Sequence, residues 1–173
     1  MTEPLRAEHR QLLPRIELLR VAAETLEGDD QAALAGIDAG VSFLREQLIP
    51  HAKAEDAVLY PEVERVTGAP GATATMRRGY VEVERLTAEL ERIGKDIGAG
   101  GIDDQQRRRL RQLLYGLHAV VGLHFIKEEE IYLPALDRGS RPTRHRCLRT
   151  FGSVARDGPE KTGSVVGRVA GTV

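Results

Sequence analysis

Histidine and glutamate recur four residues apart at two places in this chain. His51 and Glu55 lie in LIPHAKAEDAVLYPEVE, and His124 and Glu128 lie in GLHFIKEEEIYLPALD. Aligned on their histidines, the two stretches also share a proline ten residues on, Pro61 and Pro134. Val58 then corresponds to Ile131, and Val63 to Leu136. Residues four apart stack on one face of an α-helix, so each pair can offer an imidazole nitrogen and a carboxylate oxygen to one metal ion. Imidazole with carboxylate suits iron, manganese or zinc, and carboxylates can bridge two ions. Two copies facing each other across a helical bundle could hold two ions. The alternative is a pair of buried ion pairs without metal, and each would cost several kcal/mol of desolvation.

The surrounding sequence must supply helices that turn these side chains inward. Apolar residues at Leu5, Leu12, Leu13, Ile16, Leu19 and Ala23 recur near helical period and predict a helix over 5–27, with His9 on the stripe. Pro14 is either a break or a kink that tertiary packing offsets, at a cost of ~3 kcal/mol. Leu34, Ile37, Val41, Leu44 and Leu48 predict a second helix over 31–66. His51, Glu55, Val58 and Leu59 continue its stripe, with a bend at Pro50. An ionisable group on a buried stripe requires a partner or a metal. Met76, Tyr80, Val83, Leu86, Leu90, Ile93 and Ile97 predict a third helix over 73–97. Leu110, Leu113, Leu114, Leu117, Val120, Val121, His124, Glu128, Ile131 and Tyr132 predict a fourth over 104–136. Gly28, the Thr67–Gly71 segment and the Gly98–Gly101 run separate them, with Asp29 or Asp30 and Asp103 or Asp104 as caps. This is the pattern of an all-α, up-down-up-down four-helix bundle over residues 1–137. Residues 138–173 are rich in Gly, Arg and Ser and lack a period, so they read as a disordered or irregular tail. Its Arg141, Arg144, His145, Arg146 and Arg149 read as a solvated basic run.

Composition excludes several classes of function. The 173 residues suit one domain with a tail, and 25 basic side chains nearly balance 26 acidic ones. That balance gives no ground for a nucleic-acid or membrane partner. One cysteine, Cys147, permits no internal disulfide. The N-terminal MTEPLRAEHR has no apolar core of a secretion signal, and no run is long enough to span a bilayer. A cytoplasmic location is expected.

The histidine spacing carries a further regularity. His9 precedes His51 by 42 residues, and the same interval before His124 falls near position 82. On the third stripe the nearest side chain able to bind a metal is Tyr80. The order His9, His51-x-x-x-Glu55, position 80, His124-x-x-x-Glu128, with a proline after each pair, resembles the hemerythrin-like family of HHE cation-binding domains. The resemblance covers about residues 5–137. It implies a four-helix bundle holding two non-haem irons, oxo- or carboxylate-bridged, with a small diatomic or peroxide as ligand. Residue by residue, it implies His9, His51, Glu55, His124 and Glu128 as metal ligands.

The chain departs from that pattern at Tyr80, where the family has a histidine in a Met-Arg-Arg-x-His-Val-Glu-Val context. Two readings stand. Either Tyr80 binds ferric iron as a phenolate, since a metal ion favours the anionic form of its ligand, or the site lacks a ligand. His118, six residues before His124, sits at the edge of the site in a regular helix, about 120° from the His124 direction. It is either a packed, hydrogen-bonding histidine or, if a π-bulge rotates it inward, a replacement ligand. Tyr60, Tyr115 and Tyr132 read as core packing, and Glu8, Glu46, Glu129 and Glu130 as solvated groups. Three functions are compatible with this pattern: peroxide-type redox turnover in a catalase- or peroxidase-like enzyme; binding or sensing of O2, nitric oxide or iron; or a bundle that has lost its metal.

Overall fold

In the computed structural model, which describes residues 2–97 and 101–139, the chain forms an up-down-up-down four-helix bundle. Helix α1 is Glu3–Thr25. Helix α2 runs over 30–67 in three α-helical pieces, Asp30–Phe43, Ile49–Ala54 and Tyr60–Thr67, joined by π-helical turns at Leu44–Leu48 and Glu55–Leu59. Helix α3 is Ala74–Asp96. Helix α4 runs over 104–139, with a π turn at Glu128–Tyr132 between Asp104–Lys127 and Leu133–Gly139. Each helix packs against its neighbours in sequence, and α4 closes the ring against α1. The expected tail and its arginine cluster lie outside the described residues from position 140 on, as do Cys147 and Gly98–Gly100.

Local chemistry sets the helix ends. The Asp29 side chain accepts a hydrogen bond from the Ala32 amide and starts α2. Asp103 and Gln106 form a reciprocal capping box at the start of α4. Gly68 closes α2 in the left-handed region at φ 65°, which a side-chain-bearing residue adopts only with strain. Pro14 leaves α1 unbroken.

Among the described residues the buried side chains form two separate apolar clusters. The larger joins Leu12, Leu19, Leu44, Leu48, Leu90, Leu114, Val121 and Phe125 with their neighbours. The smaller joins Tyr60, Val63, Met76, Tyr132, Leu133 and Leu136. Burying each large aliphatic chain contributes about 1.5–3 kcal/mol over leaving it in water. Between the clusters the sequence of every helix places something other than an aliphatic chain: His9 on α1, His51 and Glu55 on α2, Tyr80 on α3, His124 and Glu128 on α4. Those residues make a polar layer across the bundle.

Candidate metal centre

Among the described residues three π turns border the ligand pairs, one before His51 and one beginning at each of Glu55 and Glu128. Within them the amides of Ile49, Tyr60 and Leu133 donate to the carbonyls of Leu44, Glu55 and Glu128, five residues back. Each turn has a proline at the second residue beyond its end: Pro50, Pro61 and Pro134. A proline has no amide to donate, and its ring crowds the carbonyl four residues back; a widened turn relieves both. The extra residue rotates the downstream side chains around the helix axis. Val58 and Ile131, expected on the inner stripe, are 74 % and 55 % exposed instead. Tyr60, five residues from Glu55, is fully buried on the inner side.

Five of the seven residues singled out as ligands converge. His9, His51 and Glu55 bring one donor atom each to within 4.8 Å of one another, and so do Glu55, His124 and Glu128. Glu55 belongs to both groups. Its Oε1 stands 3.2 Å from His9 Nε2 and 3.0 Å from His51 Nε2, and its Oε2 stands 3.5 Å from His124 Nε2. Glu128 Oε1 lies 3.1 Å from His124 Nε2, and Glu128 Oε2 lies 3.7 Å from His9 Nε2. Phe125 packs its ring face to face with His51 and edge-on to His9, which fixes both imidazoles.

Outer carboxylates orient two of the histidines. Glu129 Oε1 lies 2.7 Å from His9 Nδ1 and is itself held by Arg6. Glu8 Oε1 lies 3.2 Å from His51 Nδ1. Each contact leaves Nε2 facing the centre, the arrangement that sets the tautomer of a metal-binding imidazole. Both glutamates therefore do more than sit in solvent, the role expected of them from the sequence. Nothing in their sequence setting marks them, because both contacts are made between helices.

The electrostatics follow from crowding. Burial pushes the Glu55 carboxyl up, but the His124, His51 and His9 imidazoles crowded against it overcome this and hold the group well below the ordinary carboxylate range. Burial lowers His124, but Glu128 and Glu55 outweigh it and raise the imidazole to about 9. Among the described residues three buried side-chain atoms nevertheless have no hydrogen-bond partner: His51 Nε2, Glu55 Oε2 and Glu128 Oε2. The 3.0 Å approach of His51 Nε2 to Glu55 is thus a close contact without the alignment of a hydrogen bond. Stranding buried polar atoms is costly. Cations between the two groups would satisfy all three, so the residues present fit a two-ion site.

A phenol expected only to pack the core also stands in the site. The Tyr60 hydroxyl donates to Glu128 Oε1 at 2.9 Å and lies 3.0 Å from His124 Nε2. Its counterpart in the second half is Leu133, so only one half of the repeat carries a phenol at this position. The available signal was the contrast between Tyr60-Pro61 and Leu133-Pro134, obscured because five residues from Glu55 is off-face in a regular α-helix.

Tyr80 and His118 lie outside both groups. The Tyr80 ring lines a chamber of about 20 Å³ beside His51 and His124, while its hydroxyl donates to Glu84 Oε1 at 2.5 Å. His118 Nε2 lies 3.0 Å from Glu17 Oε2 of α1. The π turn of α4 begins after His124, so the segment from His118 to His124 keeps α-helical geometry and is not rotated inward.

A four-helix bundle whose core holds two histidine–carboxylate groups joined at one glutamate is a cation-binding domain. Residues 1–136 match the profile of the hemerythrin HHE cation-binding domain, and the chain belongs to that family. No curated protein and no solved structure matches it. No helix among the described residues is long and apolar enough to cross a membrane.

Proposed function

We propose that the chain is a cytoplasmic non-haem diiron protein that handles small oxygen species, with peroxide-type turnover as its reaction. The observation that carries this is Glu55, shared between His9 and His51 on one side and His124 and Glu128 on the other. A carboxylate common to two donor groups suits two ions held side by side. Nitrogen and carboxylate donors without thiolate suit iron. Bound iron would supply a reversible change of oxidation state and open coordination positions. His9, His51 and Glu55 would hold the first ion, and Glu55, His124 and Glu128 the second.

The second position lacks a histidine from α3. Tyr60 is the better replacement than Tyr80, because its oxygen already stands against His124 and Glu128. A phenolate there favours the ferric state, which suits turnover over reversible O2 carriage. O2 or nitric oxide binding without turnover is the second reading, favoured by the small chamber beside His51 and His124.

Metal analysis with an optical spectrum tests the proposal. The expected result is about two irons per chain and a visible phenolate-to-iron band, given the donor set. Zinc in place of iron would overturn it. Peroxide consumption by the loaded protein then separates turnover from binding.

A further inference from the structure

The chamber beside the two histidines has walls that argue for one chemical class of ligand. It is bounded by Leu48, Val83, Val121 and Phe125 and by the rings of His51 and His124. No carboxylate, lysine or arginine lines it. Its volume of about 20 Å³ exceeds the ~10–15 Å³ needed for a single water-sized molecule, and leaves little more.

Its wall is thin at one place. All its lining residues are buried except His124 and Tyr80, which are partly exposed, so the chamber opens between His124 and the Tyr80 ring. The ring is held at its far end. Its hydroxyl donates to Glu84 one turn along α3, and Lys53 Nζ of α2 lies 3.5 Å from the same carboxylate oxygen. The three side chains span the seam between α2 and α3 over the chamber.

We propose that Tyr80 is a specificity-determining door. It closes this chamber on the α2–α3 side of the centre, latched by Glu84 and Lys53, and it admits small uncharged species there while excluding anions. This rests on the diiron reading above. An anion entering past an apolar wall sheds its hydration with no lysine or arginine lining the chamber to replace it, whereas a neutral diatomic or hydrogen peroxide carries no such charge penalty. A residue that occupies a ligand position of the family's pattern thus controls access instead.

The test compares an anion with a neutral probe on the iron-loaded protein by stopped-flow absorbance: azide on the ferric form, nitric oxide on the ferrous form. Nitric oxide should bind much faster than azide in the wild type. Tyr80→Ala should raise the azide association rate at least about tenfold, and leave nitric oxide within about twofold, because only the charged probe faces the desolvation barrier. Equal azide and nitric oxide rates in the wild type, or an azide rate unchanged in Tyr80→Ala, would overturn the proposal. If that variant does not fold, Glu84→Ala keeps the ring but removes the latch, and should also speed azide. A second arm needs no iron. In the metal-free protein at pH 10, above the His124 value of about 9, xenon should shift the methyl resonances of Val83 and Val121 and bromide should not; equal shifts from both sink the door. Failure to load iron alone would count against the diiron reading and leave this arm standing.

Discussion

The Tyr60 hydroxyl lies 3.0 Å from Nε2 of His124, although 64 residues separate them in the chain. The two are joined across the bundle at the position where the α3 residue turns its own hydroxyl away. Tyrosines therefore serve different ends on either side of the centre, one beside the donor atoms and one at the passage.

The first prediction separates them. In the iron-loaded ferric protein, Tyr60→Phe should abolish the phenolate band, while Tyr80→Phe should keep both the band and the iron content. Loss of the band only in Tyr80→Phe would reverse the assignment. Without metal, Tyr60→Phe should also cost about 1–3 kcal/mol, because it strips a buried partner from Glu128 and His124. Urea unfolding of the metal-free protein measures that.

Glu129 and Glu8 make unequal contacts. Glu129 is 29 % exposed, is held by Arg6 and lies 2.7 Å from His9; Glu8 is 54 % exposed and 3.2 Å from His51. Glu129→Ala should therefore weaken metal binding about 10–100-fold, the usual range for such outer partners. Glu8→Ala should do less, because water screens it. Competition against a coloured chelator reads both. An equal loss would show that burial does not set their roles.

Val58 lies within the π turn Glu55–Leu59 and is 74 % exposed. Its deletion should convert that turn to an α turn and leave Tyr60 stacked over Glu55, now four residues on. Helix content by circular dichroism and iron per chain should both be retained. Loss of iron with the helices intact would mean that the wide turn itself, and not only the stacking, is needed.

Glu64 ties the end of α2 to the start of α3. The Thr73 hydroxyl donates to it at 2.5 Å and Arg77 at 2.9 Å, and together they lower its carboxyl to about 2. A folded-state value below the unfolded one adds stability that is fully present above the unfolded value of 4.5 and is lost as pH falls from there through about 2. Glu64→Gln should therefore flatten the fall of the melting temperature over that window and be less stable than wild type at neutral pH. Identical melting curves of the two proteins from pH 2 to 5 would refute this link, which rests on the Glu64 value of about 2.

The helices and ligand pairs were legible because both follow the α-helical period. Leu12, Ile16 and Leu19 fall where the spacing puts them, and His51 with Glu55 continues the same step. What the spacing could not carry was the change of period. Val58 and Ile131 read as inner residues and face out; Tyr60 reads as core packing and lies in the site. The prolines at 50, 61 and 134 mark where the period changes, but they do not say that the helix widens instead of ending. Tyr80 and His118 stand out by position along the chain, whereas hydroxyl and imidazole partners are chosen by neighbouring carboxylates, Glu84 and Glu17. Glu129 and Glu8 join other helices, a relation that no pattern within one helix encodes.

The polar layer between the two apolar clusters also limits which bundles this chain can form. A leucine seam tolerates a slip of one helix past another by a turn, since one leucine replaces the next. Here such a slip would carry Glu55 or Glu128, 3 % and 0 % exposed, into an aliphatic cluster with no histidine beside it. A buried carboxylate in that position is heavily penalised. The ligands would thereby proofread helix alignment before any metal arrives, as a buried polar residue fixes register in a coiled coil.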